Sequence, residues 1–156
     1  MVKPDGVNVD GTHVPLVAGT TYSLAALLQV LLMASGNDAA YALARGNQGV
    51  AVTLQKMNAT AADPGAFDTV AKSPSASDKA GQQTSAYDPA LIGRAAMHLP
   101  DFRGCVMTTQ APFPEGRSAD GKQTPALSIS NDNTLLLTYP GAIGIKNGYT
   151  NAAEFT

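Results

Sequence analysis

The sequence predicts an α+β domain in which helices come first along the chain and strands follow. The 156 residues suffice for one hydrophobic core, and 44% of them are hydrophobic while 14% are charged, which is typical of a globular chain. From about residue 20 to about residue 106, apolar side chains recur at helical spacing. From Met107 to Thr156, short β-branched or aromatic runs alternate with turns, which indicates strands.

The first helix is predicted to follow Ser23, whose hydroxyl can accept a hydrogen bond from an N–H group of the first turn. Gly36 is predicted to end this helix in the C′ position. Asn37 is then predicted to cap a second helix over residues 38–45. Several leucines fall on one face of the first helix and are expected to face the core. They are Leu24, Leu27, Leu28, Leu31 and Leu32.

Two further helices are predicted, one over residues 48–61 and one from Asp88 to Leu99 with Pro89 in its first turn. A polar loop rich in Ser, Pro, Asp and Lys covers residues 72–83 between them. The runs expected to be extended are residues 12–17, 67–70, 108–113, 126–130, 134–139 and 142–149.

Charge and cysteine content narrow the function classes. Ten Lys and Arg against twelve Asp and Glu give a formal net charge of −2 without a basic stripe, so we expect no nucleic-acid partner. Cys105 is the only cysteine, which excludes a disulfide framework and a thiolate metal cluster. We interpret Cys105 as a small buried or half-buried apolar residue. No metal and no cofactor are predicted.

The first candidate site is Ser35-Gly36-Asn37 at the end of the first helix. A glycine that stops one helix and an asparagine that starts the next make a common connector, which is the structural interpretation. The functional interpretation is that a hydroxyl and a carboxamide two residues apart face one cleft. Such a pair can relay a proton and bind a peptide amide.

The second candidate site is Lys146-Asn147-Gly148. Asn-Gly between two β-like runs is a strong hairpin signal, which is again a structural interpretation. The functional interpretation places the ammonium group of Lys146 opposite a substrate carboxylate. Gly148 would then let the substrate backbone lie close to the strand.

The surroundings of both motifs resemble the D-alanyl-D-alanine carboxypeptidase family, in order and spacing over nearly the whole chain. A leucine-rich helix leads into Ser35-Gly36-Asn37-Asp38-Ala39-Ala40, and Tyr139-Pro140-Gly141 leads towards Gly144-Ile145-Lys146. The matching residues between them are Lys56-Met57-Asn58, Thr84-Ser85-Ala86-Tyr87-Asp88, and Asn131 with Asn133.

The resemblance implies a helical cluster packed on an antiparallel sheet, the β-lactamase/transpeptidase-like fold, which we expect to be incomplete at both ends here. It implies an active site between helices and sheet, where a Ser-x-x-Lys serine attacks the carbonyl between two D-alanines. Ser35 would assist proton transfer to the leaving amine, and Asn37 would bind a substrate amide. Lys146 would attract the terminal carboxylate, and the backbone N–H of Tyr149 would form half of an oxyanion hole.

The chain departs from the family pattern in two places that bear on chemistry. No Ser-x-x-Lys occurs in the 156 residues, and the nearest run, Thr69-Val70-Ala71-Lys72, follows Ser35 whereas the family's nucleophile precedes it. Asn147 stands where the family has a threonine whose hydroxyl binds the substrate carboxylate. A carboxamide can also donate a hydrogen bond, but it is longer and planar.

By resemblance, the expected function is that of a serine-type D-Ala-D-Ala carboxypeptidase whose partners are peptidoglycan D-Ala-D-Ala peptides and β-lactam antibiotics. We expect the full-length protein to act in the periplasm or cell envelope, and its membrane association is left open. Residues 1–6 lack the apolar core of a signal peptide, so we interpret the chain as an internal fragment that is inactive alone. Two alternatives stay open: a non-catalytic relative that binds peptidoglycan peptides, and a class A β-lactamase-like hydrolase.

Overall fold

In the computed structural model, which describes residues 1–2, 7–118 and 120–155, the helix predicted after Ser23 is α1 (Leu24–Ala34). The prediction of its cap is confirmed, because the Ser23 hydroxyl accepts a hydrogen bond from the Ala26 N–H at 3.1 Å. Its core face is rotated from the one expected, since Leu24 is 73% exposed. The buried side chains of the helix are those of Leu27, Val30 and Met33.

Helix α2 (Asn37–Gly46) follows α1 after Ser35 and Gly36, and Gly36 occupies its N-cap position. The prediction that Asn37 caps this helix is wrong, because Asn37 is already its first residue. Its carboxamide instead donates a hydrogen bond to the backbone carbonyl of Asp10 at 2.7 Å. The two helices pack against each other.

Helices α3 (Val50–Ala62), α4 (Asp88–Ala96) and α5 (Pro100–Met107) complete the helical part. Helix α4 ends three residues before the predicted Leu99, and α5 was not predicted. The reason is Pro100, since a residue before proline avoids helical ψ, and Leu99 has ψ 115°. Proline then suits the first turn of α5.

The principal strand pair is β1 (Gln110–Phe113) with β4 (Leu127–Ser130), which run antiparallel with Ala111 opposite Ile129. Both strands lie within predicted runs. A second pair, β2 (Gly116–Arg117) with β3 (Gln123–Thr124), was not predicted.

The prediction of a strand over residues 134–139 is wrong, because α6 (Leu135–Thr138) occupies it. The side-chain oxygen of Asn133 accepts a hydrogen bond from the Leu135 N–H at 3.2 Å, and the Thr138 hydroxyl donates to the Thr134 carbonyl at 3.0 Å. Both bonds are local side-chain contacts that compete with strand pairing.

The predicted strand over residues 142–149 is also wrong over most of its length. Gly141 and Gly144 have φ of +91° and +132°, outside the β region. Only β5 (Tyr149–Thr150) is a strand, paired antiparallel with β6 (Glu154–Phe155). The hairpin turn therefore lies at residues 151–153 and not at Asn147-Gly148. Residues 12–17 form no strand, and the 67–70 segment has a single bridge from Val70 to Gln83.

The core lies between α1, α2 and the β1–β4 pair. Its aromatic centre is Tyr22 stacked on Phe113, with ring centroids 5.3 Å apart. Helices packed on antiparallel strands confirm the predicted α+β class. Within residues 1–2, 7–118 and 120–155, the structure contains no helix that is both long and apolar enough to span a membrane.

Candidate active site

Ser35 terminates α1 in the left-handed backbone conformation, with φ 56° and ψ 33°. A glycine at C′, the position predicted for Gly36, is usually left-handed, but Gly36 has φ −65° and ψ 106°. A non-glycine residue in this region costs roughly 1–2 kcal/mol. A glycine is needed at position 36 because there is no room for a side chain: a Cβ there would lie 2.7 Å from Val30 Cγ1. Within the Ser35-Gly36-Asn37 motif, the left-handed backbone therefore falls on the candidate proton-relay residue.

Asn37 is held by two hydrogen bonds to the segment before α1. Its backbone N–H donates to the Thr12 carbonyl at 2.9 Å, and its side-chain Nδ2 donates to the Asp10 carbonyl at 2.7 Å. The second bond uses one of the two N–H groups of the carboxamide. The side chain of Asn37 thus has a fixed orientation beside Ser35.

Asp38 is 1% exposed and follows the motif directly. Its Oδ1 atom accepts hydrogen bonds from the N–H groups of Val14 at 3.2 Å and Ala39 at 2.9 Å. Burial raises the pKa of this carboxyl, and the backbone hydrogen bonds and the nearby His13 oppose that rise. In the sequence, Asp38 was recognisable only as part of the pattern shared with the family, and no role was predicted for it.

Lys146 is half-buried, and its ammonium group donates to the backbone carbonyl of Asn147 and, at 3.0 Å, to the Asn147 side-chain oxygen. Burial lowers the pKa of Lys146, and the negative charge of Asp132 raises it. Asn147 in turn donates from Nδ2 to the Asp132 carbonyl at 3.3 Å.

Asp132 links the two motifs. Its backbone N–H donates to the Met33 carbonyl at 2.9 Å, two residues before Ser35, and its carbonyl accepts from Asn147. The loop that carries it is fixed by Asn131, whose Nδ2 donates to the Thr108 carbonyl at 2.9 Å. Sequence reasoning missed Asp132, although it stands between the two asparagines that were singled out.

The segment before Lys146 packs between two helices. A Cβ added to Gly93 of α4 would lie 2.8 Å from Ile145 Cδ1, and one added to Gly144 would lie 3.0 Å from Val106 Cγ2 of α5. Gly148 follows in irregular backbone, and Tyr149 opens β5 opposite Phe155. In the described part of the chain, no three His, Cys, Asp or Glu side chains group closely enough to hold a metal ion.

The structure thus places Ser35, Asn37 and Lys146 on segments that share contacts through Asp132 and the end of α1. A hydroxyl, a carboxamide and a partly desolvated ammonium group are the groups available there. Together they can relay a proton, bind an amide and attract an anion.

Comparison with known proteins identifies the family. The model of the D-alanyl-D-alanine carboxypeptidase family matches residues 2–156. The chain is 46% identical over 140 residues to D-alanyl-D-alanine carboxypeptidase DacB2 of Mycobacterium tuberculosis, covering 88% of this chain and 46% of that protein. It is 31% identical over 147 residues to a D-alanyl-D-alanine carboxypeptidase of a Streptomyces species, covering 90% of this chain and 50% of that protein.

Solved structures show the same fold. A D-alanyl-D-alanine carboxypeptidase of Mycobacterium tuberculosis superposes with a TM-score of 0.87 at 41% identity, over 98% of this chain and 56% of that one. A variant of a Streptomyces DD-transpeptidase superposes with a TM-score of 0.87 at 26% identity, over 99% of this chain and 63% of that one. The chain spans about half the length of the curated relatives it matches. Because the family model matches almost every residue and the fold agrees, this protein belongs to the D-alanyl-D-alanine carboxypeptidase family.

Proposed function

We propose that this protein is a serine-type D-Ala-D-Ala carboxypeptidase that acts on peptidoglycan stem peptides through an acyl-enzyme. The observation that carries the proposal is that Asp132 joins the end of α1, which leads into Ser35 and Asn37, to the segment that carries Lys146. The hydrogen bonds from Asp132 to Met33 and from Asn147 to Asp132 tie the end of α1 to the lysine segment.

Ser35 and Asn37 act on the peptide bond that breaks. When the nucleophilic serine oxygen bonds to the carbonyl carbon, the C–N bond to the last D-alanine breaks and its nitrogen needs a proton. The proton that the nucleophile loses passes to a neighbouring basic group, and the Ser35 hydroxyl donates its own proton to the nitrogen while it accepts that one in return. The Asn37 carboxamide, oriented by its bond to Asp10, binds a peptide amide of the substrate. Water then hydrolyses the ester and returns the hydrogen to the nucleophile.

Lys146 binds the terminal carboxylate of the substrate. Its ammonium group is partly desolvated, which strengthens a charge-assisted hydrogen bond to an anion. Asn147 and Gly148 border the carboxylate, with the carboxamide of Asn147 as a further donor. The backbone N–H of Tyr149 contributes half of the oxyanion hole, a type of interaction worth about 3 kcal/mol of barrier.

The nucleophile is proposed to come from sequence outside these 156 residues, because they contain no Ser-x-x-Lys. The test is to label two proteins with a fluorescent penicillin: this chain, and the product of its complete reading frame. Mass spectrometry would then locate the acylated serine. We expect label only in the complete product, on a serine with lysine three residues later.

Other labelling outcomes would refute the proposal in distinct ways. If the complete product takes up no label, a non-catalytic relative is favoured. The absence of Ser-x-x-Lys from these 156 residues is consistent with that alternative. Rapid hydrolysis of penicillin would indicate a β-lactamase-like hydrolase. Since D-Ala-D-Ala peptides and β-lactams are met outside the cytoplasm, the proposal also places the working protein in the periplasm or cell envelope.

A further inference from the structure

We propose that residues 10–14, the clamp segment, position Ser35 and Asn37 for the reaction, with Asp38 and Gly11 as positioning residues. The inference rests on the proposed function, because it concerns the same two side chains. The clamp segment precedes α1 and touches neither Lys146 nor Asn147 through any hydrogen bond described above.

Every second residue of the clamp segment makes a hydrogen bond to Asn37 or Asp38. The carbonyls of Asp10 and Thr12 accept hydrogen bonds from the side chain and the backbone of Asn37, at 2.7 and 2.9 Å. The N–H of Val14 donates to Asp38 Oδ1 at 3.2 Å. All three bonds end on Asn37 or Asp38, so the clamp segment is bonded to the start of α2.

Asp38 joins the clamp segment to α2. One carboxylate oxygen accepts from both Val14 and Ala39, and the side chain is 1% exposed. Loss of this oxygen would leave both N–H groups without that acceptor and remove one of the three hydrogen bonds between the clamp segment and the first turn of α2. An asparagine side chain has the same shape and keeps an oxygen that can accept both bonds.

Gly11 lets the clamp segment approach closely. A Cβ at this position would lie 2.4 Å from Asn37 Nδ2, and Gly11 has φ +87°. Val14 also contacts the loop, because a Cβ on Gly36 would lie 3.2 Å from Val14 Cγ2. Strained residues persist only where their surroundings fix them, and the clamp segment holds Asn37 and Asp38, which follow left-handed Ser35.

The first test compares Gly11→Ala with Gly121→Ala in the product of the complete reading frame. Both glycines have φ +87° and are exposed, so the backbone strain is matched, but a Cβ on Gly121 would meet nothing within 4 Å. Displacing a reacting group by about 1 Å can cost about 100-fold in rate. We expect Gly11→Ala to lower the rate of acylation by penicillin at least about tenfold, and Gly121→Ala to leave it within about twofold.

The second test asks whether Asp38 acts through position or only through stability. Asp88 is a matched control, since it is 2% exposed and also accepts two hydrogen bonds, from Asp68 and Thr69, both at 2.8 Å. Rates are measured at a temperature where every variant is folded by circular dichroism. We expect Asp38→Ala to lower kcat for a D-Ala-D-Ala peptide at least about tenfold, with Asp38→Asn restoring it and Asp88→Ala retaining it.

The outcomes separate this inference from the proposed function. A wild-type protein that neither hydrolyses the peptide nor reacts with penicillin refutes the proposed function. A reactive wild type in which Gly11→Ala matches Gly121→Ala, or Asp38→Ala matches Asp88→Ala, refutes the clamp alone. If Asp38→Ala does not fold, the pair of glycine variants decides.

Discussion

Replacing Ser35 by glycine should make the protein more stable and less active. Ser35 has φ 56°, and relieving a left-handed non-glycine residue gains roughly 1–2 kcal/mol. The extra freedom of glycine in the unfolded chain returns about 0.5–1 kcal/mol of that gain. The net stabilisation is therefore about 0.5–1 kcal/mol, which in a chain of this size raises Tm by roughly 1–4 °C.

The matched control is Ala76→Gly, because Ala76 has φ 57° and lies exposed in the polar loop. It should gain the same stability as Ser35→Gly. A second control, Ser35→Ala, removes the hydroxyl but keeps the strain, so its stability should stay within about 0.5 kcal/mol of wild type. Urea unfolding of all three variants measures these differences.

Activity must separate the same variants in the product of the complete reading frame. Ser35→Gly and Ser35→Ala both lose the hydroxyl of the proposed proton relay, so each should lower peptide hydrolysis by about 100-fold or more, while Ala76→Gly keeps full rate. If Ser35→Gly is no more stable than Ser35→Ala while Ala76→Gly is stabilised, Ser35 is not held left-handed. If Ser35→Gly or Ser35→Ala hydrolyses the peptide at the full rate, Ser35 relays no proton.

Three further predictions concern single side chains. Asn147→Thr removes the carboxamide oxygen that accepts a hydrogen bond from Lys146, which leaves the ammonium group freer to bind the carboxylate of penicillin. The variant should therefore be acylated by penicillin up to about tenfold faster than wild type. A slower reaction would count against the proposed carboxylate site. Burial raises the pKa of Asp38 above 3.8, so its contribution to stability is present below pH 3.8 and is lost as pH rises through the folded-state pKa. Urea unfolding should therefore show the stability of Asp38→Asn increasing relative to wild type between pH 3 and pH 7, and an unchanged difference would contradict this. Burial and Asp101 raise the pKa of the Cys105 thiol, so iodoacetamide at pH 7 should alkylate it more slowly than free cysteine, and an equal rate would show that the thiol is not so shielded.

The sequence predicted those elements whose signals are local. Ser23 caps α1 because its hydroxyl reaches an N–H three residues ahead, and a β-rich run at residues 126–130 contains β4. It failed where two local signals competed. A short apolar run such as Leu135 to Leu137 suits a strand or a helix equally. The helix is favoured by the side-chain oxygen of Asn133, which accepts a hydrogen bond from the Leu135 N–H in the first turn.

The candidate site was less readable than the fold. Ser35 and Lys146 were proposed from the resemblance, whereas Asp132 makes its hydrogen bonds through its backbone N–H and carbonyl, which carry no sequence signal. Gly36 was predicted to end α1, but its role in the structure is to leave room for Val30, Val14 and Asp38. Tertiary contacts of this kind cannot be read from spacing.

The most direct measurement is a crystal structure of the product of the complete reading frame after reaction with a penicillin. The account predicts an acyl group on a serine, with the penicillin carboxylate about 2.8 Å from Lys146 Nζ and its amide hydrogen-bonded to the side chain of Asn37. An acyl group that contacts neither Lys146 nor Asn37 would contradict the account.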